Sequence, residues 1–154
     1  MITRIAALAL IAASLAYAAD PFVGTWKPDL EKTKFISPQP NESNRRRVVK
    51  WEASGKDAIR LSWTVGNVAT RRNGKATEPV DMILDGKEHG SEADGFRTAT
   101  RIDEHHVRIT VRSASGSIQN DDVVSEDGKT LTMTRKGRTE AGRLVDEILV
   151  YTRQ

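Results

Sequence analysis

Apolar and polar residues alternate with a period of two through most of this chain. In residues 59–65 the odd positions hold Ile, Leu, Trp and Val, and the even positions are polar. This is the pattern of a strand with one buried face. The alternation recurs in residues 80–84, 96–102, 107–111 and 130–134, and no long segment has helical periodicity. The pattern therefore predicts an all-β protein.

Short glycine-containing turn signals separate these runs. They fall at 54–55, 73–74, 85–86, 94–95, 115–116, 127–128 and 141–142. Asn73-Gly74 and Asp127-Gly128 are residue pairs preferred in type I′ hairpin turns. Hairpins place consecutive strands side by side, so we expect an antiparallel up-and-down β-barrel of eight to ten strands, with a β-sandwich as the alternative. Barrel closure would also remove exposed edge strands. We expect a single domain over residues 19–154.

Two segments depart from the alternation. Residues 144–151 are apolar on both faces, which is typical of a strand covered on both sides. Residues 37–44 contain Pro38 and Pro40 and are predicted to form an extended loop, with too few residues for a pair of helices. Just before this loop, Asp29 is placed to cap a single helical turn.

The N-terminal residues have the features of an export signal. Arg4 precedes an apolar run over residues 5–15, and Ala16 and Ala18 form an A-x-A cleavage site,. The run is shorter than the roughly 20 residues that span a bilayer. We therefore predict a signal peptide over residues 1–18, a mature chain beginning at Ala19, and a periplasmic or secreted location.

Composition narrows the possible partners. The chain has no cysteine, which excludes a disulfide framework and a lipid-modified cysteine anchor. No second apolar stretch follows the signal, so we expect no integral membrane contact after cleavage. The 24 Lys and Arg nearly balance the 21 Asp and Glu. Residues 45–47 and 71–72 are the arginine runs, interpreted as solvated strand ends, and we expect no nucleic-acid partner.

Candidate catalytic and metal-binding groups are sparse. His89 and His105 are predicted in turns, and His105 and His106 would point to opposite faces of a strand. No histidine spacing matches a metal site. There is no cysteine nucleophile and no G-x-S-x-G motif, and the acids Asp121 and Asp122 are interpreted as solvated. We therefore predict no enzymatic activity, no metal and no cofactor.

A short motif after the signal resembles known barrel families. Gly24, Thr25 and Trp26 have the G-x-W form that opens the first strand of lipocalins and fatty-acid-binding proteins. Residues 24–35 and 127–151 resemble small exported lipocalin-like (calycin-type) β-barrel proteins of bacteria. The resemblance implies a barrel in which Trp26 plugs one end while its N–H bonds a carbonyl. It also implies that Gly24 lets the neighbouring backbone pass close beside it.

Large side chains on the apolar strand faces are the candidate ligand-binding residues. They are Trp51, Trp63, Met82, Phe96, Met133 and Tyr151. Broad tryptophan and deformable methionine suit an adaptable apolar cavity, although the same residues could fill a packed barrel. Fatty-acid-binding proteins have an arginine two residues before the matching tyrosine, where this chain has Leu149. Five other arginines are expected to point outward: Arg60, Arg97, Arg101, Arg108 and Arg112.

Two functions are consistent with these features. The first is an exported small-molecule-binding protein that carries a hydrophobic ligand in the barrel interior. The second is a ligand-free structural or protein-interaction barrel that acts through the loops at residues 38–44 and 71–77.

Overall fold

The computed structural model describes residues 20–38, 40, 42–55, 57–65, 68–69, 71–72, 75–76 and 78–154. The predicted signal peptide and the predicted turn at Asn73 and Gly74 lie outside the described residues.

The described elements are β-strands and one short 3₁₀ helix. They are β1 (Gly24–Pro28), β2 (Lys34–Phe35), the 3₁₀ helix (Glu42–Arg46), β3 (Arg47–Ala53), β4 (Ala58–Val65), β5 (Val68–Ala69), β6 (Arg71–Arg72), β7 (Lys75–Ala76), β8 (Val80–Ile83), β9 (Asp85–Ser91), β10 (Gly95–Asp103), β11 (His106–Arg112), β12 (Ser117–Val124), β13 (Thr130–Arg138) and β14 (Leu144–Arg153). In this part of the chain, no helix has the length and apolar character needed to cross a membrane.

One antiparallel sheet curls into a nearly closed barrel. Ten of its strands follow the order β5-β4-β3-β1-β14-β13-β12-β11-β10-β9, while β8 also pairs with β4 and β2 with β14. The strands β8 and β9 are consecutive in the chain. β9 is one end of this order, and β8 pairs with β4, next to β5 at the other end. Within the described residues they are not paired with each other, so this is where the barrel stays open. The predicted antiparallel barrel is confirmed, and the sandwich alternative is not adopted.

The turn signal at residues 85–86 does not form a hairpin. Asp85 begins β9, and Gly86 has a φ of 72°. Nearby, the β9–β10 register shifts between Thr98 and Thr100. Because β9 runs through residue 91, His89 lies within this strand rather than in the predicted turn. His105 does lie in a turn, as predicted.

The segment between β1 and β3 is partly helical. As predicted, Asp29 caps one turn: its Oδ1 accepts the Lys32 N–H at 3.2 Å, and the Thr33 N–H reaches the Asp29 carbonyl at 3.1 Å. The predicted extended loop is wrong in its second half, which forms the 3₁₀ helix. There Asn44 is only 2% exposed, so this segment delivers a side chain into the barrel.

The last strand, β14, is covered along most of its length. Leu149, Val150 and Tyr151 are all buried, although adjacent residues point to opposite faces. The strand β2 pairs with Glu147 and Ile148, and the N–H of Asp29 donates to the Val150 carbonyl at 2.7 Å. The N-terminal segment therefore borders β14, in agreement with its lack of alternation.

Buried apolar side chains from nearly every long strand meet inside the barrel. The core comprises Phe22, Trp26, Val49, Trp51, Ile59, Leu61, Met82, Ala99, Val107, Ile109, Val124, Leu131, Met133, Leu149 and Tyr151.

Candidate functional site

Strand parity divides the barrel interior into an apolar half and a polar half. On β13 the inward positions run from Leu131 through Met133 to Arg135, and on β14 they run from Tyr151 through Leu149 to Glu147. The apolar half surrounds Trp26 and Trp51. The polar half surrounds Arg47, Arg135 and Glu147.

Trp26 is the centre of the apolar half and is fully buried. Its indole N–H donates to the Phe22 carbonyl at 2.9 Å. The Arg153 guanidinium lies 4.3 Å from the centre of the Trp26 ring and bonds the carbonyls of Val23 and Gly128, each at 2.6 Å. These contacts tie the residues before β1, the last strand and one turn to a single indole.

Gly24 makes room for a side chain rather than for backbone. A Cβ at Gly24 would lie 2.6 Å from Nη1 of Arg153. The expectation that neighbouring backbone passes close to Gly24 is therefore wrong, because the close neighbour is the Arg153 side chain. Glycine is needed because a larger residue would displace the guanidinium that stacks on Trp26.

Residues next to the predicted cleavage site complete this half. The Phe22 ring lies 4.8 Å from the Trp51 ring. Arg101 stacks over Phe22 at 5.6 Å and forms an ion pair with Asp20. Trp51 is thus packed against Phe22, and Arg101 faces the interior rather than outward as expected.

The polar half is held together by a hydrogen-bonded cluster. Glu147, 2% exposed, accepts from Asn44 Nδ2 and from Arg135 Nη1, both at 2.9 Å. Arg135 Nε also donates to Asn120 Oδ1 at 3.0 Å. Arg47 donates to Ser43 Oγ at 3.2 Å. The 3₁₀ helix, β3, β12, β13 and β14 therefore all contribute to one buried cluster.

Several polar atoms of this half remain unsatisfied. Among the described residues, Arg47 Nε, Asn44 Oδ1 and Asp122 Oδ1 are buried without a hydrogen-bond partner. Buried polar groups are usually hydrogen-bonded, and an unmade bond costs about 1–3 kcal/mol. Trp51 Nε1 in the apolar half and Asp146 Oδ1 are also unpaired, but Asn44 and Arg47 line one common cavity.

Burial shifts the pKa values of the ionisable groups here. It lowers the pKa of the Arg47 guanidinium, and the positive charge of Arg135 adds to the effect. It raises the pKa of the Tyr151 hydroxyl to about 12 and that of the Asp122 carboxyl to about 7. Near neutral pH the polar half therefore holds two arginines against Glu147 and a partly protonated Asp122, a positive balance that favours an anion.

Two small cavities adjoin this cluster, and both are lined by Asn44 and Arg135. The first, about 90 Å³, is lined by Asn44, Arg47, Val49, Trp63, Met133, Arg135, Leu149 and Tyr151. The second, about 130 Å³, is lined by Asn44, Ile118, Arg135, Thr139, Arg143, Leu144, Val145 and Glu147. The second also borders the β13–β14 turn through Thr139 and Arg143.

Other hollows lie away from this cluster. A cavity of about 140 Å³ at the opening between β8 and β9 is lined in part by Met82, His89 and Arg97. Arg97 therefore also faces inward, against expectation. A wider groove of about 760 Å³ is open to solvent, and Arg112 and Lys136 of the outer face belong to its lining. The open groove is wider and includes Asp146, which has a buried, unpaired oxygen, but its arginines, Arg112 and Arg138, are exposed.

The six predicted ligand-binding residues separate into four environments. Trp63, Met133 and Tyr151 line the 90 Å³ cavity together. Met82 lines the separate cavity at the opening between β8 and β9, and Trp51 lies in the packed apolar half.

Phe96 is on the wrong face for the predicted role. It is the cross-strand partner of Arg112, whose guanidinium lies 4.4 Å from the Phe96 ring centre and binds the exposed Glu88. Its neighbour Arg97 pairs instead with Val111, which packs on the core. Phe96 therefore belongs to the outer surface of β10.

The polar residues of the site were missed because they were interpreted by residue type. Arg47 was assigned to a solvated run and Asp122 to a solvated pair, yet both side chains lie inside the barrel. Their parity gave a usable signal: Arg47 alternates with Val49 and Trp51 on the buried face of β3.

No grouping of three or more His, Cys, Asp or Glu able to hold a metal ion occurs in the described part of the chain.

Comparisons with known proteins bear on the fold. No protein-family model matches the chain, and no curated protein sequence is significantly similar to it. Among solved structures, the fluorescent protein UnaG is similar with a TM-score of 0.57 at 13% identity, covering 86% of this chain and 97% of UnaG. The fatty acid binding protein of Schistosoma mansoni, in complex with arachidonic acid, gives 0.59 at 13% identity, with 87% and 96% covered.

A third similar structure is the zebrafish ileal bile acid-binding protein complexed with cholic acid. It has a TM-score of 0.52 at 14% identity, covering 87% of this chain and 98% of the other. At such identities the similarity defines the fold: this chain has the antiparallel barrel of the fatty-acid-binding proteins.

Proposed function

We propose that this chain is a small-molecule-binding protein that holds an amphipathic molecule inside the barrel. The polar end of the ligand lies against Arg47 and Arg135, and its apolar part lies beside Trp63 and Met133. The observation that carries the proposal is the buried, incompletely paired guanidinium of Arg47 at the wall of an interior cavity.

Buried arginines without partners lower the stability of a barrel core. Moving an ion out of water costs several kcal/mol unless partners compensate. Arg135 is compensated by Glu147 and Asn120, whereas the Nε–H of Arg47 has no acceptor among the described residues. A bound anionic or strongly accepting group would supply that compensation.

The similar structures support the same class of ligand. Two of them were solved with arachidonic acid or cholic acid, molecules that join a large apolar body to a carboxyl group. The walls of the 90 Å³ cavity likewise combine apolar Val49, Trp63 and Leu149 with the arginines.

Cavity size limits the ligand. Sites for drug-sized molecules usually measure about 300–1,000 Å³, and the two cavities here are each well below that range. We therefore propose a short ligand, such as a medium-chain acid, rather than a long-chain fatty acid.

The fully buried apolar half favours the second candidate function, a packed barrel without ligand.

Adjacent arginines allow a direct test by isothermal titration calorimetry with octanoate. Arg47→Gln removes the interior charge, and Arg46→Gln removes an exposed charge from the neighbouring residue. We expect saturable 1:1 binding for wild type and Arg46→Gln, and at least a tenfold weaker association for Arg47→Gln. Absence of binding to wild-type protein, together with native mass spectra free of co-purified ligand, would favour the packed barrel.

We also propose that the protein is exported and works outside the cytoplasm, on the strength of Arg4, the apolar run and the A-x-A site. Expression of residues 1–154 in a Gram-negative host should release, on osmotic shock, a protein whose intact mass begins at Ala19. Ala18→Phe should block this processing. Unprocessed wild-type protein confined to the cytosol would contradict export without affecting the binding proposal.

A further inference from the structure

The residues that line the 90 Å³ cavity include one unpaired hydrogen-bond donor and one unpaired acceptor. Arg47 Nε–H is a donor without an acceptor, and Asn44 Oδ1 is an acceptor without a donor, among the described residues. Both residues line this cavity. Arg47 donates to Ser43, the neighbour of Asn44, at 3.2 Å, so the guanidinium lies against the 3₁₀ helix that carries Asn44.

The orientation of the Asn44 amide is fixed by its partner. Its Nδ2 lies 2.9 Å from Glu147 Oε2. An ionised carboxylate only accepts hydrogen bonds, so turning the amide over would set two acceptors against each other. The atom of this amide that is left without a partner is therefore the oxygen.

We propose that the ligand's polar end carries a carboxylate next to an O–H or N–H donor, as in a 2-hydroxy or 2-acylamino carboxylic acid. The carboxylate accepts from Arg47 Nε–H, and the adjacent donor bonds Asn44 Oδ1. A simple carboxylate would satisfy Arg47 and leave Asn44 unsatisfied. This inference rests on the proposed function and specifies the class of ligand.

Neighbouring groups do not already meet this need. Arg135 is engaged with Asn120 and Glu147. Asp122 also has an unpartnered oxygen, but its side chain is not among the described residues that line this cavity. No described residue completes Asn44 Oδ1, so the two candidate partners to be tested are the ligand and water.

A matched pair of ligands separates these two sources. Octanoate and 2-hydroxyoctanoate, the latter as each enantiomer, have the same chain length and charge and differ in one hydroxyl group. One hydrogen bond is worth about 0.5–1.5 kcal/mol, so calorimetry should show one enantiomer of the hydroxy acid binding wild-type protein roughly three- to tenfold more tightly than octanoate.

Two variants assign the preference to Asn44. In Asn44→Ala the ratio of the two affinities should fall to about one. In Gln119→Ala, which removes an exposed amide on the outer side of β12, the ratio should stay as in wild type. Circular dichroism melts confirm that both variants fold, and the ratio within one variant is insensitive to a uniform loss of affinity.

The outcomes also distinguish this inference from the function on which it rests. Equal affinities in wild type would overturn the inference, with water satisfying Asn44, and leave the binding function intact. A preference that survives in Asn44→Ala would overturn the role of Asn44. Absence of binding for every ligand would instead refute the proposed function.

Discussion

Arg46 and Arg47 are sequence neighbours in opposite environments. Arg46 ends the 3₁₀ helix and is exposed, while Arg47 begins β3 and turns inward beside Asn44. Successive residues of a strand alternate between faces, so one position decides whether a guanidinium meets water or the barrel interior. Residue type alone could not have separated the two.

Trp26 is the residue on which stability should depend most. Trp26→Ala would remove a fully buried indole, its bond to Phe22 and the stacking surface of Arg153. Truncating a buried aromatic costs about 3–5 kcal/mol, out of about 5–15 kcal/mol for a typical domain. Thermal and urea denaturation should show a large loss, with Trp26→Phe intermediate. A near-native melting temperature for Trp26→Ala would show that Trp26 does not plug the barrel.

Asp122 should make stability depend on pH. Burial raises its pKa from 3.8 to about 7. Between these values the folded state keeps a proton that the unfolded state has lost. The free energy of unfolding should therefore fall as pH rises from 4 to 7, by up to about 1.4 kcal/mol per pH unit. In Asp122→Asn this decline should disappear, as measured by urea denaturation at pH 5, 6, 7 and 8.

Asp127 provides a control with the opposite sign. Its carboxylate accepts from Ser125 Oγ and from the Lys129 N–H, and these bonds lower its pKa. Its contribution to stability is lost only as the pH falls through its lowered folded pKa. Asp127→Asn should therefore leave the slope between pH 5 and 8 as in wild type. An unchanged slope in Asp122→Asn would instead show that Asp122 is ionised throughout.

At the scale of elements, β12 and β13 approach each other closely at Gly137. Gly137 has a φ of 141°, and a Cβ there would lie 2.0 Å from the Ser117 carbonyl oxygen. Gly137 is the next residue after Arg135 on the same face of β13. The close contact at Gly137 therefore also supports the register in which Arg135 is paired with Asn120.

Gly137→Ala should therefore force the two strands apart. We expect a loss of at least about 1–3 kcal/mol in urea denaturation, the scale of a strained backbone conformation. Gly142→Ala is the matched control, because Gly142 has a φ of 74° but no atom within 4 Å of the added Cβ. Its loss should be smaller, and equal losses would mean that backbone strain alone, not the contact with β12, sets the cost.

Elements also differ in how far the sequence predicts them. Strands with one buried face were predictable because a period of two is local. The 3₁₀ helix was not, because Asn44 is anchored to Glu147, a residue 103 positions away. Such a contact exists only after the barrel has brought β14 beside the 3₁₀ helix.

For the whole molecule, the barrel followed from alternation, turn residues and the G-x-W motif, while the site did not. A period-two analysis that treats charged residues as outward assigns Arg47, Arg97 and Arg101 to the wrong face. Their neighbours on the same face, such as Val49 and Ala99, are buried. Parity would have identified these arginines as interior, but it could not have identified a partner such as Asp20, which lies 81 residues before Arg101 in the chain.

The central claim is that the polar half of the barrel binds a small amphipathic molecule. The chain has three tryptophans, so a ¹H–¹⁵N spectrum of the protein resolves an indole N–H for each of Trp26, Trp51 and Trp63. During titration with octanoate, the Trp63 signal should shift and saturate at one ligand per chain, since Trp63 lines the 90 Å³ cavity. The Trp26 signal should stay in place, because its N–H is bonded to Phe22 in the apolar half. An unmoved Trp63 signal, or shifts confined to residues of the outer groove such as Lys136, would contradict the account.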